Sequence, residues 1–168
     1  QAVERLAGCE REVRALGVDA AVQSYIAAKQ YSNVEIFCVN APRNAIRAWD
    51  VRVVATIEGR ELQLSDYILK DEAMARQAAY GFMIWDGESA GTLNNVLNLV
   101  SVGKQCLVYK NWTGDFETVK ALADLETLIS SADQNSLKKI DRKIHLSARL
   151  AELRQGSLLV NMHGRSRE

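Results

Sequence analysis

Hydrophobic residues recur at three- and four-residue steps in several stretches of the chain, which is the spacing of an amphipathic helix. Polar and charged residues fill the positions between them. The pattern predicts two helices at the start of the chain, broken near Gly17, and four more further along. The predicted helices cover residues 2–16, 18–29, 71–79, 91–102, 119–129 and 136–153.

Short runs rich in β-branched and aromatic residues predict strands at 34–39, 51–57, 81–85 and 105–109. The turn composition of Glu58-Gly59-Arg60 favours a strand or hairpin that continues through Leu62 and Leu64. The last two strands flank the helix at 91–102, which Gly103 closes as a C-cap, so this stretch predicts a βαβ crossover with parallel strands.

The fold class that follows is α/β, a Rossmann-like parallel sheet with flanking helices and a C-terminal helical appendage. We assign residues 1–130 to the Rossmann-like domain and 131–168 to the appendage. The appendage carries an apolar stripe at helical spacing, which either packs back on its own domain or is covered by a second copy of the chain; we favour the second, a homo-oligomer. The stripe consists of Leu137, Ile140, Ile144, Ala148 and Ala151.

Composition narrows the possible partners. Lys plus Arg and Asp plus Glu number 21 each, so the net charge of zero removes the general attraction to phosphate backbones, and nucleic acid is not an expected partner. The longest apolar stretches fall far short of the roughly 20 residues that a membrane span needs, and no charged-then-apolar leader opens the chain. We therefore expect a cytoplasmic protein with no membrane partner.

The three cysteines, Cys9, Cys38 and Cys106, are widely spaced and lack the Cys-x-x-Cys separation of zinc and redox sites. We expect them to be small core residues in a reducing compartment. The two histidines lie near the C-terminus without metal-ligand spacing around them, so neither a metal nor a cofactor is expected.

The segment Trp85-Asp86-Gly87-Glu88-Ser89-Ala90-Gly91-Thr92 joins a buried strand to a helix N-terminus, where ligands bind in open α/β sheets. Free backbone N–H groups and the helix dipole favour an anion there. Gly87 and Gly91 allow a ligand to approach the backbone, and the hydroxyls of Ser89 and Thr92 can donate to phosphate oxygens. The same residues would also serve a plain tight turn and helix cap, and both interpretations stay open.

Two stretches resemble a known family. Lys70-Asp71-Glu72-Ala73-Met74-Ala75-Arg76, followed by the apolar strand, Asp-Gly and Gly-Thr, resembles the signature of the SLOG superfamily, which contains the DprA/Smf proteins and the Lonely Guy phosphoribohydrolases. Gly17-Val18-Asp19 is similar to an element of the small YspA-like members. The resemblance implies a nucleotide or other phosphorylated small molecule as ligand, with Lys70, Arg76 and Asp19 in its site.

The chain departs from the family where the family carries its catalytic carboxylates. Asn94 and Asn95 stand in place of two Glu residues, and a neutral amide cannot stabilise the oxocarbenium-like transition state of N-glycosidic cleavage. Lys70 stands in place of an Arg. The leading hypothesis is therefore a nucleotide-binding protein that acts as a sensor or weak enzyme, with Asn95 among the ligand contacts and Trp85 as a stacking surface for the base.

Two alternatives remain. An active N-glycosidase, phosphoribohydrolase or deoxyribosyltransferase would use Glu88 or Asp86 in place of the missing carboxylates, with Lys70 as a further catalytic candidate. A structural protein-interaction module would keep the fold and bind no small molecule. Binding of a nucleotide separates the first two hypotheses from the third.

Overall fold

The computed structural model describes residues 18–42 and 48–164. The helix predicted over residues 2–16, together with Cys9, lies outside this part of the chain. The described chain is mixed α/β, as expected at the level of fold class. It divides into two compact units, Gln1–Met74 and Ala75–Glu168, and the domain boundary expected at residue 130 falls inside the second unit.

The described residues of the first unit form two helices and a two-stranded sheet. Its elements are α1 (Val18–Ala28), β1 (Glu35–Val39), β2 (Asp50–Ala55) and α2 (Leu64–Gln77), the last turn of which belongs to the second unit. The strands β1 and β2 are parallel. The strand or hairpin expected through Leu62 and Leu64 is wrong, because Leu64 is the first residue of α2.

A local cap explains why α2 begins seven residues earlier than the apolar pattern indicated. The carboxylate of Asp66 accepts a hydrogen bond from the backbone N–H of Gln63 (2.8 Å), as the acidic third residue of a helix does in a capping box. Both terminal nitrogens of the Arg60 guanidinium donate to the same carboxylate at 2.7 Å. These bonds lower the pKa of Asp66 to about 2, with the Arg60 contact as the main cause.

Up to residue 164, the second unit forms a three-stranded sheet and four complete helices. Its elements are β3 (Gly81–Trp85), α3 (Ala90–Ser101), β4 (Cys106–Lys110), β5 (Asp115–Val119), α4 (Leu122–Ser130), α5 (Gln134–Ile144) and α6 (Leu146–Gly164). The strand order is β3-β4-β5. Strands β3 and β4 are parallel, which confirms the predicted βαβ arrangement, whereas β5 is antiparallel to β4 and was not predicted.

Glycines fix both ends of this βαβ unit. A Cβ atom on Gly81 would lie 2.8 Å from the Cβ of Cys106 and would also overlap the side chain of Leu99, so only glycine lets α3 and β4 pack this closely on β3. Gly103, at φ +70°, ends α3 as expected. Its N–H donates to the carbonyl of Val100, and that of Lys104 donates to Leu99, which is the Schellman arrangement.

The core of the second unit lies on one face of the sheet. Strand residues such as Trp85, Cys106 and Val108 point into it and are 0% exposed. Phe82 and Phe116, on the opposite face, are 47% and 49% exposed. In the described part of the second unit this opposite face is therefore only partly covered, whereas helices were expected on both faces of the parallel strands.

The C-terminal segment is two helices, not the single helix predicted over residues 136–153. His145 takes the left-handed conformation (φ 52°) between α5 and α6, and its N–H bonds to the carbonyl of Asp141 at 2.8 Å. Leu137, Ile140 and Ile144 are buried in the same core as Trp85. The expectation that a second subunit buries these three residues is wrong, because their own unit already does so.

Candidate functional site

The turn between β3 and α3 is held together by its first carboxylate. Asp86 Oδ1 accepts hydrogen bonds from the backbone N–H groups of Glu88 (2.9 Å) and Ser89 (2.7 Å). An Asp side chain that bonds to the backbone two and three residues later stabilises a turn in this way. Asp86 thus shapes the turn, and the two N–H groups that it binds are already satisfied.

Ser89 caps the helix that follows. Its hydroxyl oxygen accepts from the backbone N–H of Thr92 (3.3 Å) and from the Thr92 hydroxyl (3.0 Å). Because Ser89 accepts both bonds, its own hydroxyl proton is available to a further acceptor. Ser89 is therefore the N-cap, whereas the plain turn-and-cap interpretation made Thr92 the capping residue; Thr92 donates to that cap.

Two N–H groups at the start of α3 stay open. A helix leaves its first N–H groups without an intrahelical acceptor, and those of Ala90 and Gly91 have none elsewhere in the described parts of the chain. Gly91 is exposed, and a Cβ atom built on it meets nothing within 4 Å. The helix start thus leaves two backbone donors without a protein acceptor at the positive end of its dipole, and the side-chain side of Gly91 is open.

Gly87 has a different role from the one expected. Its φ of +81° is a conformation that strongly favours glycine. However, Gly87 is buried, and a Cβ atom on it would lie 3.4 Å from ring carbons of Trp112. The space beside Gly87 is filled by this indole, so Gly87 packs against a side chain and does not admit a ligand.

The expected stacking residue is also corrected. Trp85 is 0% exposed, and its indole N–H donates to the carbonyl of Ser89 at 3.1 Å, so it anchors the turn from inside the core. The aromatic residue that reaches solvent beside the turn is Trp112, which is 39% exposed. Sequence reasoning missed Trp112 because β5 was not predicted. The segment Asn111-Trp112-Thr113-Gly114 has the composition of a turn and contains a tryptophan, so the sequence did indicate an aromatic residue in a surface turn.

The amides that stand in place of the family's carboxylates are not arranged for catalysis. Asn94 and Asn98, one helical turn apart on α3, are 3% and 5% exposed. The guanidinium of Arg149, from α6, donates to the side-chain oxygens of both, at 2.6 Å to Asn98. Asn95 is partly buried, and its side-chain oxygen is shielded from solvent.

Glu88 is the other carboxylate in the turn. It is exposed, and its Oε1 lies 3.5 Å from the hydroxyl of Ser136, in the first turn of α5. Asp133 caps that helix by accepting from the N–H of Ser136 at 2.8 Å. Two carboxylates therefore lie beside the helix start: Glu88 contacts α5, and Asp86 is bound within the turn.

The remaining predicted site residues lie apart from the turn in sequence, and two belong to the first unit. Asp19 is exposed in the first turn of α1, and Lys70 lies 3.0 Å from the carboxylate of Asp71. Arg76 is exposed at the end of α2, where its carbonyl and that of Ala75 accept from the ammonium of Lys104. The participation of Asp19, Lys70 and Arg76 in one site stays a prediction.

Metal binding and thiol chemistry were considered for the described residues as well. No group of three or more His, Cys, Asp or Glu side chains within them is arranged to hold a metal ion. Burial raises the pKa of Cys106 to about 11, so this thiol is protonated and unreactive near neutral pH. Among the described helices, none combines the length and apolar character needed to cross a bilayer.

Comparison with known proteins finds no matching family model, no similar curated protein and no similar solved structure. The resemblance to the SLOG superfamily is thus carried by the residues quoted from the sequence alone.

Proposed function

We propose that the second unit binds a phosphorylated small molecule, a nucleotide in the first instance, with its phosphate at the start of α3. The observation that carries this proposal is the pair of N–H groups at Ala90 and Gly91 that lack a protein acceptor, next to the open side-chain side of Gly91 and after a strand of a parallel pair. Backbone donors at a helix N-terminus are a preferred environment for phosphate. The hydroxyl of Ser89 adds a third donor.

The arrangement favours binding over cleavage. Arg149 holds Asn94 under α6, and Asn95 carries no charge, so neither residue replaces the glutamates of the family. Loss of a group that stabilises transition-state charge typically costs about a hundredfold or more in rate. We therefore assign the protein the role of a nucleotide sensor or weak enzyme, built on a Rossmann-like βαβ unit.

The binding site is tested with Gly91→Val. A valine side chain would project into the space that the phosphate needs, and it meets no protein atom there, so the variant is expected to fold. Titration calorimetry with AMP and with inorganic phosphate should show at least a tenfold loss of affinity.

The matched control is Ala123→Val, because Ala123 is exposed and occupies the same second position of helix α4. This variant should bind both probes like the parent. If AMP binds a folded Gly91→Val protein as tightly as it binds Ala123→Val, the phosphate site is misplaced.

The absence of efficient hydrolysis is tested separately. Incubating the protein with AMP and measuring adenine by chromatography should show very slow release or none. Robust release of adenine that Glu88→Gln abolishes would promote the glycosidase and transferase hypotheses, with Glu88 as the catalytic carboxylate.

A role in protein interaction has one observation in its favour. Phe82 and Phe116 are about half exposed on one face of the sheet of the second unit, with the partly buried Ile84 and Tyr109 between them in register. Exposed apolar patches often mark contact surfaces. If neither AMP nor phosphate binds the parent protein, this face becomes the stronger basis for a function.

A further inference from the structure

The turn between β4 and β5 holds Trp112 beside the end of β3. The N–H of Asn111 donates to the carbonyl of Trp85 at 2.9 Å, which joins this turn to the strand that precedes the candidate site. The N–H of Gly114 bonds to the carbonyl of Lys110 at 2.8 Å and closes the turn. Lys110 also pairs with Glu117 across the two strands at 3.0 Å. The backbone that carries Trp112 is therefore fixed at several points.

The indole of Trp112 is itself held in place. Its ring centroid lies 5.4 Å from that of Trp85, at 81° between the ring planes, which is a favourable edge-to-face contact. A Cβ atom built on Gly87 would touch its six-membered ring at 3.4 Å, so the indole lies on the side-chain side of that glycine. In spite of these contacts, 39% of Trp112 remains exposed. The second unit thus presents a large, immobilised aromatic surface to solvent, packed on the turn that leads to the open helix start.

We propose that Trp112 stacks on the planar ring of the phosphorylated ligand, so that the ligand class is nucleoside phosphates and not sugar phosphates or inorganic phosphate. This inference rests on the phosphate site proposed above. Stacking on an aromatic side chain accepts any nucleobase, because every base has a π-face. Trp112 therefore selects for the presence of a base without choosing which one.

The fixed position of Trp112 favours such selection. A ring already held by Trp85 and Gly87 loses little conformational freedom when a base stacks on it, so more of the contact energy appears as affinity. Gly87 is part of the same arrangement, since a larger side chain there would press on the indole. The turn thus supplies donors for the phosphate through α3 and a support for the aromatic ring through Gly87.

The test compares AMP with ribose 5-phosphate, which differ by the base. In calorimetry the parent protein should bind AMP more tightly than ribose 5-phosphate. Trp112→Ala should lose about tenfold or more in affinity for AMP, in line with stacking contributions elsewhere, and should bind ribose 5-phosphate like the parent. Trp112→Phe should retain most of the preference for AMP. The matched control is Phe116→Ala, which removes a more exposed aromatic residue from the same pair of strands and should alter neither affinity.

A purely structural role for Trp112 would weaken both probes together, and this outcome would overturn the proposal. If the parent binds AMP and ribose 5-phosphate equally, and Trp112→Ala has the same two affinities, the stacking proposal is overturned but the phosphate site is not. Binding of neither probe to the parent would remove both proposals.

A second measurement covers the case in which Trp112→Ala does not fold. The indole N–H signal of Trp112, assigned in the NMR spectrum with Trp112→Phe, should shift when the parent binds AMP and stay in place with ribose 5-phosphate. A signal that AMP leaves unmoved would overturn the stacking proposal.

Discussion

Arg149 links α6 to the amides on α3, and its removal should destabilise the second unit more than the loss of an exposed ion pair on the same helix. Its guanidinium donates to the side-chain oxygens of Asn94 and Asn98, which are both almost fully buried. In Arg149→Ala these two acceptors lose their donor and stay shielded from water. Each unsatisfied buried polar group costs about 1–3 kcal/mol, and partial relaxation brings the total to about 2–4 kcal/mol.

For a unit of this size, about 1 kcal/mol shifts the melting temperature by about 4–8 °C, so Arg149→Ala should melt at least 8 °C below the parent. Circular dichroism during a thermal ramp measures this directly. Arg154→Ala is the matched control, because Arg154 lies on the same helix and pairs with Glu126 through side chains that are 56% and 40% exposed. An exposed ion pair contributes about 0–1 kcal/mol, so this control should melt much closer to the parent.

The physical cause can be separated from a loss of packing. A triple variant, Arg149→Met with Asn94→Leu and Asn98→Leu, replaces all three hydrogen-bonding side chains by apolar ones of similar shape. It leaves no unpaired polar group there and should recover most of the lost stability. Equal melting temperatures for Arg149→Ala and Arg154→Ala would refute the argument. So would a triple variant that is less stable than Arg149→Ala.

The remaining predictions concern a helix junction and an acidic side chain. His145→Gly should raise the free energy of unfolding by about 1 kcal/mol, because a residue in the left-handed conformation between two helices favours glycine. A higher melting temperature for His145→Ala than for His145→Gly would contradict this. In the folded state, Arg60 lowers the pKa of the Asp66 carboxylate to about 2, whereas the unfolded pKa is about 3.9. The stability that this carboxylate contributes is therefore complete above about pH 3.9 and is lost as the pH falls towards 2. Melting temperatures measured between pH 5 and pH 2 should therefore fall less steeply for Asp66→Asn than for the parent, and parallel curves would show that the carboxylate is not coupled to folding.

The sequence by itself determined the elements whose signals are local. The apolar run at β3, the glycine-bearing turn, the helix that follows and its stop at Gly103 were all predicted close to their observed bounds, as was the parallel pairing of β3 and β4. Each of these depends on hydrophobic periodicity or on caps formed within a few residues of chain.

Tertiary structure decided the features that depend on distant partners. Strand β5 has a largely polar and exposed sequence, and it forms through antiparallel pairing with β4 and the Lys110–Glu117 ion pair, neither of which a local pattern contains. Of the predicted apolar stripe, the three residues on α5 are buried, whereas Ala148 and Ala151 on α6 are exposed. Which surface buries those three was decided by packing on the core of their own unit.

The candidate site shows the same division. Periodicity located the turn, but it could not tell that Trp85 lies inside the core while Trp112 stands at the surface beside it, since both are tryptophans near strand ends. Nor could it foresee that Arg149, more than fifty residues away, binds the amides of α3. The exposed fraction and the hydrogen-bond partners of a side chain are set by whichever residues the fold brings next to it. For that reason the sequence was sufficient to locate the turn of the candidate site, whereas the surroundings of its side chains required the structure.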